Sequence, residues 1–481
     1  MPGCTEWCEM SQKNKMQTNT LLGGIITLIL GGFFIGSSIF NRHLRDQHWT
    51  KGHSNGIVAL VANLFFLSAI VGSLTCAFLI KYLKKIYLAR AYLLMMAAAC
   101  ILLVLVPVNI IGITFAEVLS GLAYGMAYLA VIIHGGEVVI PKLRGTTIAS
   151  INYLIFIGIL VHGTISPFIL SYSNVEPNRI VGTIGIMLTL LAAMIGQFMS
   201  YESPVYLIQQ GQDQEAIQIL MKLRLESSNT EEIRDAYIDI KLMLQEDSRA
   251  SGWIFQDGNW RPLLIISLGK VAAVLSFNAS INNIRLVMLD EIFLMPTYSA
   301  SAAMVLLIRG IFGVVFLFTV DKYGRKPQQA LLAFAGGSIL TAMGITYLVN
   351  QKMDKYLEVA IILVYDLVTA AGVTLIPDVQ LSEAFCTKKK SASIAFIQTL
   401  EAVLQIIILN ITFRWDFWDV ANFDQFLLCC GVPMMVIACV LFVISPETAN
   451  LTIRQSRALF ARNDELYETF DEDDIGSMRS Q

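Results

Sequence analysis

Long blocks of consecutive apolar residues, broken by short polar turns, organise this chain from residue 21 to residue 444. The blocks cover 21–40, 56–80, 88–109, 111–133, 146–170 and 180–199, then 262–283, 298–319, 329–349, 357–378, 391–413 and 422–444. They are hydrophobic all round rather than along one stripe. Each reaches the roughly 20 residues that a helix needs to cross a bilayer core of about 30 Å. Twelve membrane-spanning helices are predicted, in two sets of six (21–199 and 262–444), with a polar tail at 1–20 and another at 445–481. Between the sets lies a hydrophilic segment, 200–261. Within it Ala216, Ile219, Leu220 and Leu223 recur at helical spacing, as do Ile233, Tyr237, Ile240 and Leu244. That pattern predicts short amphipathic helices against the membrane domain, with a freely disordered linker as the alternative.

Composition sharpens this picture. Of 481 residues 55% are hydrophobic and 15% charged, against about 25% charged in ordinary soluble proteins. A disordered chain, a coiled coil and a typical soluble enzyme are excluded. The net charge of −3 gives no reason to expect a nucleic-acid partner. The eight cysteines (Cys4, Cys8, Cys76, Cys100, Cys386, Cys429, Cys430 and Cys439) lie mostly inside spans and have neither zinc-finger nor disulfide-framework spacing. His43, His48 and His53 crowd one polar loop and read as solvated, so no metal site and no cofactor is expected; His162 reads as a packing residue. The acidic run Asp471-Glu472-Asp473-Asp474 reads as a solvated end, and the absence of a GxxxxGK[ST] loop argues against ATP-driven transport. The glycosylation sequons at Asn278, Asn410 and Asn450 are expected to stay unmodified, because they fall in or at the end of spans or on the inner side.

Lysine and arginine orient the chain. With the N-terminus inside, 24 of them lie in or at the edge of cytoplasmic segments and 8 in exterior loops, while Lys270 and Arg309 fall within spans. Both termini are expected to be cytoplasmic. The polar start through Thr20, followed by a full span, reads as a signal anchor and not a cleaved signal peptide. Two features repeat at nearly one offset. Glu137 and Arg144 follow span four as Glu383 and Lys390 follow span ten, and Lys81-Tyr82-Leu83-Lys84-Lys85 follows span two as Lys322-Tyr323-Gly324-Arg325-Lys326 follows span eight. A duplicated six-span unit is predicted.

The motifs around these echoes are specific as a set. Asp321-Lys322-Tyr323-Gly324-Arg325-Lys326 occupies the loop between spans eight and nine, where Gly permits a tight turn and Asp and Arg can pair across helix ends. Glu202-Ser203-Pro204-Val205-Tyr206-Leu207 follows span six, with Gly211, Glu215-Ala216 and Leu220 behind it. Ser445-Pro446-Glu447-Thr448 follows span twelve, Glu137 to Arg144-Gly145 follows span four, and Arg261-Pro262-Leu263-Leu264 opens span seven. Together they resemble the sugar-porter family of the major facilitator superfamily, which includes facilitated glucose and insect trehalose transporters, over about residues 20–455. The resemblance implies an all-α membrane protein of twelve transmembrane helices in two six-helix bundles around a central cavity. It also implies a cytoplasmic inter-bundle network steadying the outward-facing state, which would here comprise Glu137, Arg144, Glu202, Asp321, Arg325, Glu383 and Glu447, with Lys390 in place of the usual Arg. Lys lacks the bidentate fork of Arg, so a looser C-terminal half is expected.

Departures from the family bear on the solute. The loop after span two has lost its Asp and Gly, and Glu117 stands where span four usually has Arg. Asn152 replaces the span-five Gln, Ala272 and Ala273 align with the span-seven glutamine pair, Asn278 is kept, and Asp378 aligns with the span-ten Trp beside Pro377. Lost amides remove hydrogen bonds on which pyranose recognition depends. Lys270, Arg309, Asp366, Asp378 and Glu401 instead place charge within spans, where each costs about 2.5–3.5 kcal/mol on insertion scales and therefore seeks a cavity or a partner. Two readings stay open: inter-helix ion pairs, or recognition of a charged or strongly polar solute. Gly36-Ser37-Ser38 stands in span one where proton-coupled relatives carry Asp, so facilitated diffusion is preferred to symport, with Asp378 or Glu401 as titratable candidates. The expected function is transport of a small polar solute, sugar foremost, by a monomer in the plasma membrane. Candidate lining residues are Asn152, Asn278, Lys270, Arg309, Asp378 and Glu401. An organic-ion or polyol transporter and a non-transporting solute sensor are the alternatives.

Overall fold

A computed structural model describes residues 12–40, 49–50, 52–172, 175–285, 298–317, 319–350, 353–370, 372–414 and 423–461. Cys4, Cys8, His43, His48 and the acidic run 471–474 lie outside the described residues, while His53 is exposed. Among the described residues there is no strand. The first six spanning helices are α1 (Lys15–Phe40), α2 (Asn55–Leu79), α3 (Lys85–Leu105), α4 (Ile110–Val138), α5 (Pro141–Tyr172) and α6 (Pro177–Met199). Three helices outside the span pattern follow: α7 (Pro204–Gln209), α8 (Asp213–Arg224) and α9 (Glu231–Arg249). The second half comprises α10 (Trp260–Ser276), α11 (Tyr298–Leu317), α12 (Arg325–Asn350), α13 (Lys355–Ala370), α14 (Ile376–Glu383), α15 (Thr387–Arg414) and α16 (Phe423–Ile444), closed by α17 (Ile453–Ala461). Among the described residues, ten helical stretches are long and apolar enough to cross a membrane; spans eight and ten are represented by α11 and by α13 with α14.

Local chemistry sets the helix ends. Asn109 begins α4 by accepting from the backbone N–H of Ile111 at 2.9 Å and of Gly112 at 3.4 Å. Pro177 and Pro204 sit in the first turns of α6 and α7, where a missing N–H costs nothing. Two predicted spans are interrupted. Helix α10 breaks at Phe277, and helix resumes over 279–285; Asn278 bridges the gap, its amide donating to the carbonyls of Val274 (2.9 Å) and Leu275 (3.3 Å) while its Oδ1 accepts from Ile281 N–H at 3.0 Å. The expected continuous helix 357–378 ends at Ala370 and restarts at Ile376, with Pro377 in the new first turn. Gly372 makes that break with φ +153, and a Cβ there would stand 2.9 Å from the Phe316 ring. Within a bilayer such backbone is tolerated only where protein covers it or a cavity solvates it. Both breaks border the central cavity.

Packing follows the duplicated plan. In the first half α2 packs on α4, α1 on α5 and α3 on α6; in the second α11 packs on α13, α10 on α15 and α12 on α16. The halves meet through α2 against α15 and α5 against α11, two contacts that exchange under a shift of six spans. Helix α14 fills the space between, touching α4 and α5. At one end of the bundles the short helices form a layer. Ala216, Ile219 and Leu223 of α8 pack with Val138 and Leu207, as their spacing predicts. Helix α9 holds the C-terminal α17 through Asp247 with Arg457 and Glu246 with Arg454.

Candidate functional site

A cavity of about 130 Å³ lies between the two halves, with room for on the order of ten water molecules. It is lined from α1, α2, α4, α5, α10, α11, α13 and α15, together with the non-helical segment that joins α13 to α14. The broken spans supply Ala273, Val274 and Phe277 on one side and Ala370, Thr374 and Leu375 on the other. Four of the six predicted lining residues are here: Asn152, Lys270, Arg309 and Glu401. Asp378 sits just behind the wall, fully buried. It accepts hydrogen bonds from Asn152 and from the Tyr128 hydroxyl, and Lys270 Nζ lies 2.5 Å from it. Lys270 also reaches Glu401 at 2.9 Å and donates to the Tyr128 hydroxyl at 2.9 Å. Asn278 is outside the lining, its amide consumed by the break in α10.

Sequence reading missed several polar groups of this wall. Tyr124 and Tyr128 are one turn apart on α4, and Gln398, Glu401 and Gln405 share one face of α15 at i, i+3 and i+7. That spacing was visible in the sequence, but an amide in an apolar helix is not told from packing without its neighbours. Arg285 lies two residues beyond the predicted span 262–283. It is buried at 3% exposure and pairs with Asp366, which Arg309 approaches to 3.7 Å. Glu117, near Ser37, His162 and Asn178, lines a separate small pocket away from the cavity.

Between this floor and one end of the bundles lies a layer of charge. Glu383 is five residues beyond Asp378, a rise of about 7.5 Å along a helix. It binds Arg325, and Arg144 from the other half at 3.4 Å. Arg325, wholly buried, also reaches Asp321 at 3.1 Å and Thr448 Oγ1 at 3.0 Å. Asp321 crosses between halves to accept from the N–H (2.7 Å) and hydroxyl (2.9 Å) of Thr146. Glu447 receives the first backbone N–H groups of α12, from Arg325 at 3.0 Å and Lys326 at 3.1 Å. Glu137 pairs with Lys85 and accepts from the Ser203 hydroxyl. Lys85 thus plays toward Glu137 the part that Arg325 plays toward Glu383, one residue beyond Lys84, which the repeat offset sets opposite Arg325. Lys390 is buried near Gly136, with no carboxylate within ion-pair distance among the described residues. Glu202 also has no cation within ion-pair distance among the described residues: its carboxylate accepts from Ser203 N–H at 3.1 Å, and burial raises it above the usual carboxylate range against the more distant pull of Lys85.

The family model for "Sugar (and other) transporter" matches residues 18–460. The chain belongs to that family. Among curated relatives of this family member, "Sugar transporter ERD6-like 17" of Arabidopsis thaliana is 24% identical over 75% of each chain, and the "Galactose-proton symporter" of Escherichia coli is 24% identical over 72% of this chain and 74% of its own. Among solved structures, the proton:xylose symporter XylE bound to 6-bromo-6-deoxy-D-glucose superposes with a TM-score of 0.79 at 18% identity, covering 92% of this chain and 99% of that one. The inward open conformation of XylE from E. coli gives 0.64 at 15% identity over 92% and 99%. The transporter family chain therefore has the major facilitator fold, an all-α membrane protein of two six-helix bundles and not an enzyme, as the motifs implied.

Proposed function

We propose that this chain carries a sugar across the membrane by alternating access, as a monomer and without obligatory ion coupling. The observation that carries the reading is a central cavity sized for a solute of about a dozen heavy atoms, walled by both halves, with a charge layer between it and one face that joins the halves through the Arg144–Glu383 ion pair and the hydrogen bonds of Thr146 to Asp321. Asn152, Lys270, Arg309 and Glu401 supply donors and acceptors for hydroxyl groups. Asp378 holds Asn152, Tyr128 and Lys270 in place, and Asn278 shapes the break that opens α10 to the cavity. Glu137, Arg144, Asp321, Arg325, Glu383 and Glu447 close the face that the Lys and Arg distribution assigns to the cytoplasm, with both termini on that side and the plasma membrane as the site of action. Lys390 and Glu202 support that closure as buried neighbours of Glu137.

A second reading has its own support. Three charged side chains, Lys270, Arg309 and Glu401, line the cavity, which favours a charged solute on the same scaffold. Uptake into liposomes holding the purified protein tests both readings. Saturable flux of labelled neutral sugars is the expected result. Binding without saturable flux for any sugar removes the transport reading in favour of a sensor, and flux confined to organic ions removes sugar as the solute.

A further inference from the structure

Two buried ionic clusters border the cavity, and their charges do not balance in the same way. Lys270 is shared between Asp378 and Glu401, so one negative charge is left over. It is well placed: the Glu401 side chain is 30% exposed and lines the cavity. On the opposing cluster Arg285 and Arg309 share a single carboxylate, Asp366. Arg285 holds the close pair and also donates to Asn282 at 3.2 Å. Arg309 is left with Asp366 at 3.7 Å and one hydrogen bond, to the Thr369 hydroxyl at 2.7 Å.

A guanidinium has five N–H donors in a flat fork. That of Arg309 lies 4.6 Å from the centre of the Phe277 ring and 5.9 Å from that of Phe156, and all three residues line the cavity. Arg309 is 3% exposed, and no further carboxylate lies within ion-pair distance of it among the described residues. Uncompensated buried charge is costly and calls for an anion. A second group lining the same cavity is unspent. Gln398 is 5% exposed, and neither its amide nitrogen nor its oxygen is hydrogen-bonded. Buried amides without partners are rare, and one turned to a cavity is completed by what the cavity holds.

We propose that Arg309 binds the anionic group of the transported solute, and that this solute is an acid sugar, a hydroxylated ring bearing a carboxylate. The guanidinium fork matches a carboxylate in two parallel hydrogen bonds, and Asn152, Gln398 and Gln405 remain for ring hydroxyls. This rests on the reading of the cavity as a sugar path. A free inorganic anion has the same attraction for Arg309, so the experiment separates the two sources.

The full-length protein in liposomes is assayed for uptake of labelled glucose and labelled glucuronate, each competed by the other. Glucuronate is expected to enter saturably until it equilibrates, and to block glucose uptake at one tenth of the concentration at which glucose blocks its own. In Arg309→Gln the preference for glucuronate over glucose falls tenfold or more, the range for hydrogen bonds to a charged group. Arg309→Lys keeps the charge and restores part of that preference; thermal melting of each variant checks that it folds. Replacing chloride by methanesulfonate is expected to leave wild-type uptake unchanged. Glucose uptake that requires chloride, and loses the requirement in Arg309→Gln, assigns the position to an inorganic anion and overturns the acid sugar. Glucose carried normally while glucuronate is neither carried nor competes overturns the inference and leaves the sugar-path reading standing. No saturable uptake of either sugar takes both away.

Discussion

Replacing Glu383 by Gln tests the charge layer most directly. Glu383 is wholly buried, and among the described residues it is the one carboxylate bonded to both Arg144 of the first half and Arg325 of the second. The amide is nearly isosteric, so packing is retained and only charge is lost. Two guanidinium groups, at 3% and 0% exposure, are then left in a dry layer with Asp321 as the remaining acid partner, 3.1 Å from Arg325. Breaking a buried pair in this way costs about 3–5 kcal/mol. The penalty falls on the conformation in which the layer is closed, because separation of the halves hydrates all three groups. At about 1.4 kcal/mol per decade, the closed form loses a factor of about a hundred to a few thousand in population. Hydrogen exchange followed by mass spectrometry reads this without a label. Backbone amides over 139–147 and 383–391 should exchange at least tenfold faster in Glu383→Gln, while amides in the first turns of α2 and α4, at the far ends of their helices, keep their wild-type rates. Unchanged protection over both segments, in a protein that melts like wild type, would refute the idea that this pair holds the halves together.

Other outcomes follow from the same geometry. Asp378→Asn removes the acid that fixes Lys270, Tyr128 and Asn152, and should weaken solute affinity tenfold or more in a binding titration; unaltered affinity and selectivity would remove Asp378 from the site. Gly324→Ala forces a Cβ into a turn with φ +82 and to within 2.7 Å of the Glu447 carboxylate, which should destabilise by about 1–2 kcal/mol, read as a lower melting temperature together with slower turnover. Asn278→Ala strips the break in α10 of its bridging hydrogen bonds and should cost about 1–3 kcal/mol of stability; a neutral result would mean that water replaces the amide. Asp247→Asn loosens Arg457 and the backbone N–H of Thr387 together, so limited proteolysis should cut near α17 sooner than in wild type.

The apolar runs alone determined that this chain lives in a bilayer, because no other solvent accepts twelve segments that are hydrophobic on every face. The same string carried the repeat, since Glu137 and Glu383, or Lys81 and Lys322, lie a nearly constant distance apart, and its motif order pointed to the family. Partnership was another matter. Lys270, Arg309, Asp378 and Glu401 are equally improbable within spans when read along the chain, and only packing separates their roles. Asp378 turns inward to Tyr128 and Asn152, Glu401 reaches the cavity, and Arg309 shares an acid already held by Arg285. Asn278 looked like a hydroxyl ligand and serves a helix break, because breaks within a span leave no hydropathy signal and create backbone groups that must be satisfied on the spot. Linear sequence reports the solvent each segment must meet. Which charges compensate one another depends on contacts between helices that are distant along the chain, and those exist only once the helices pack around the cavity.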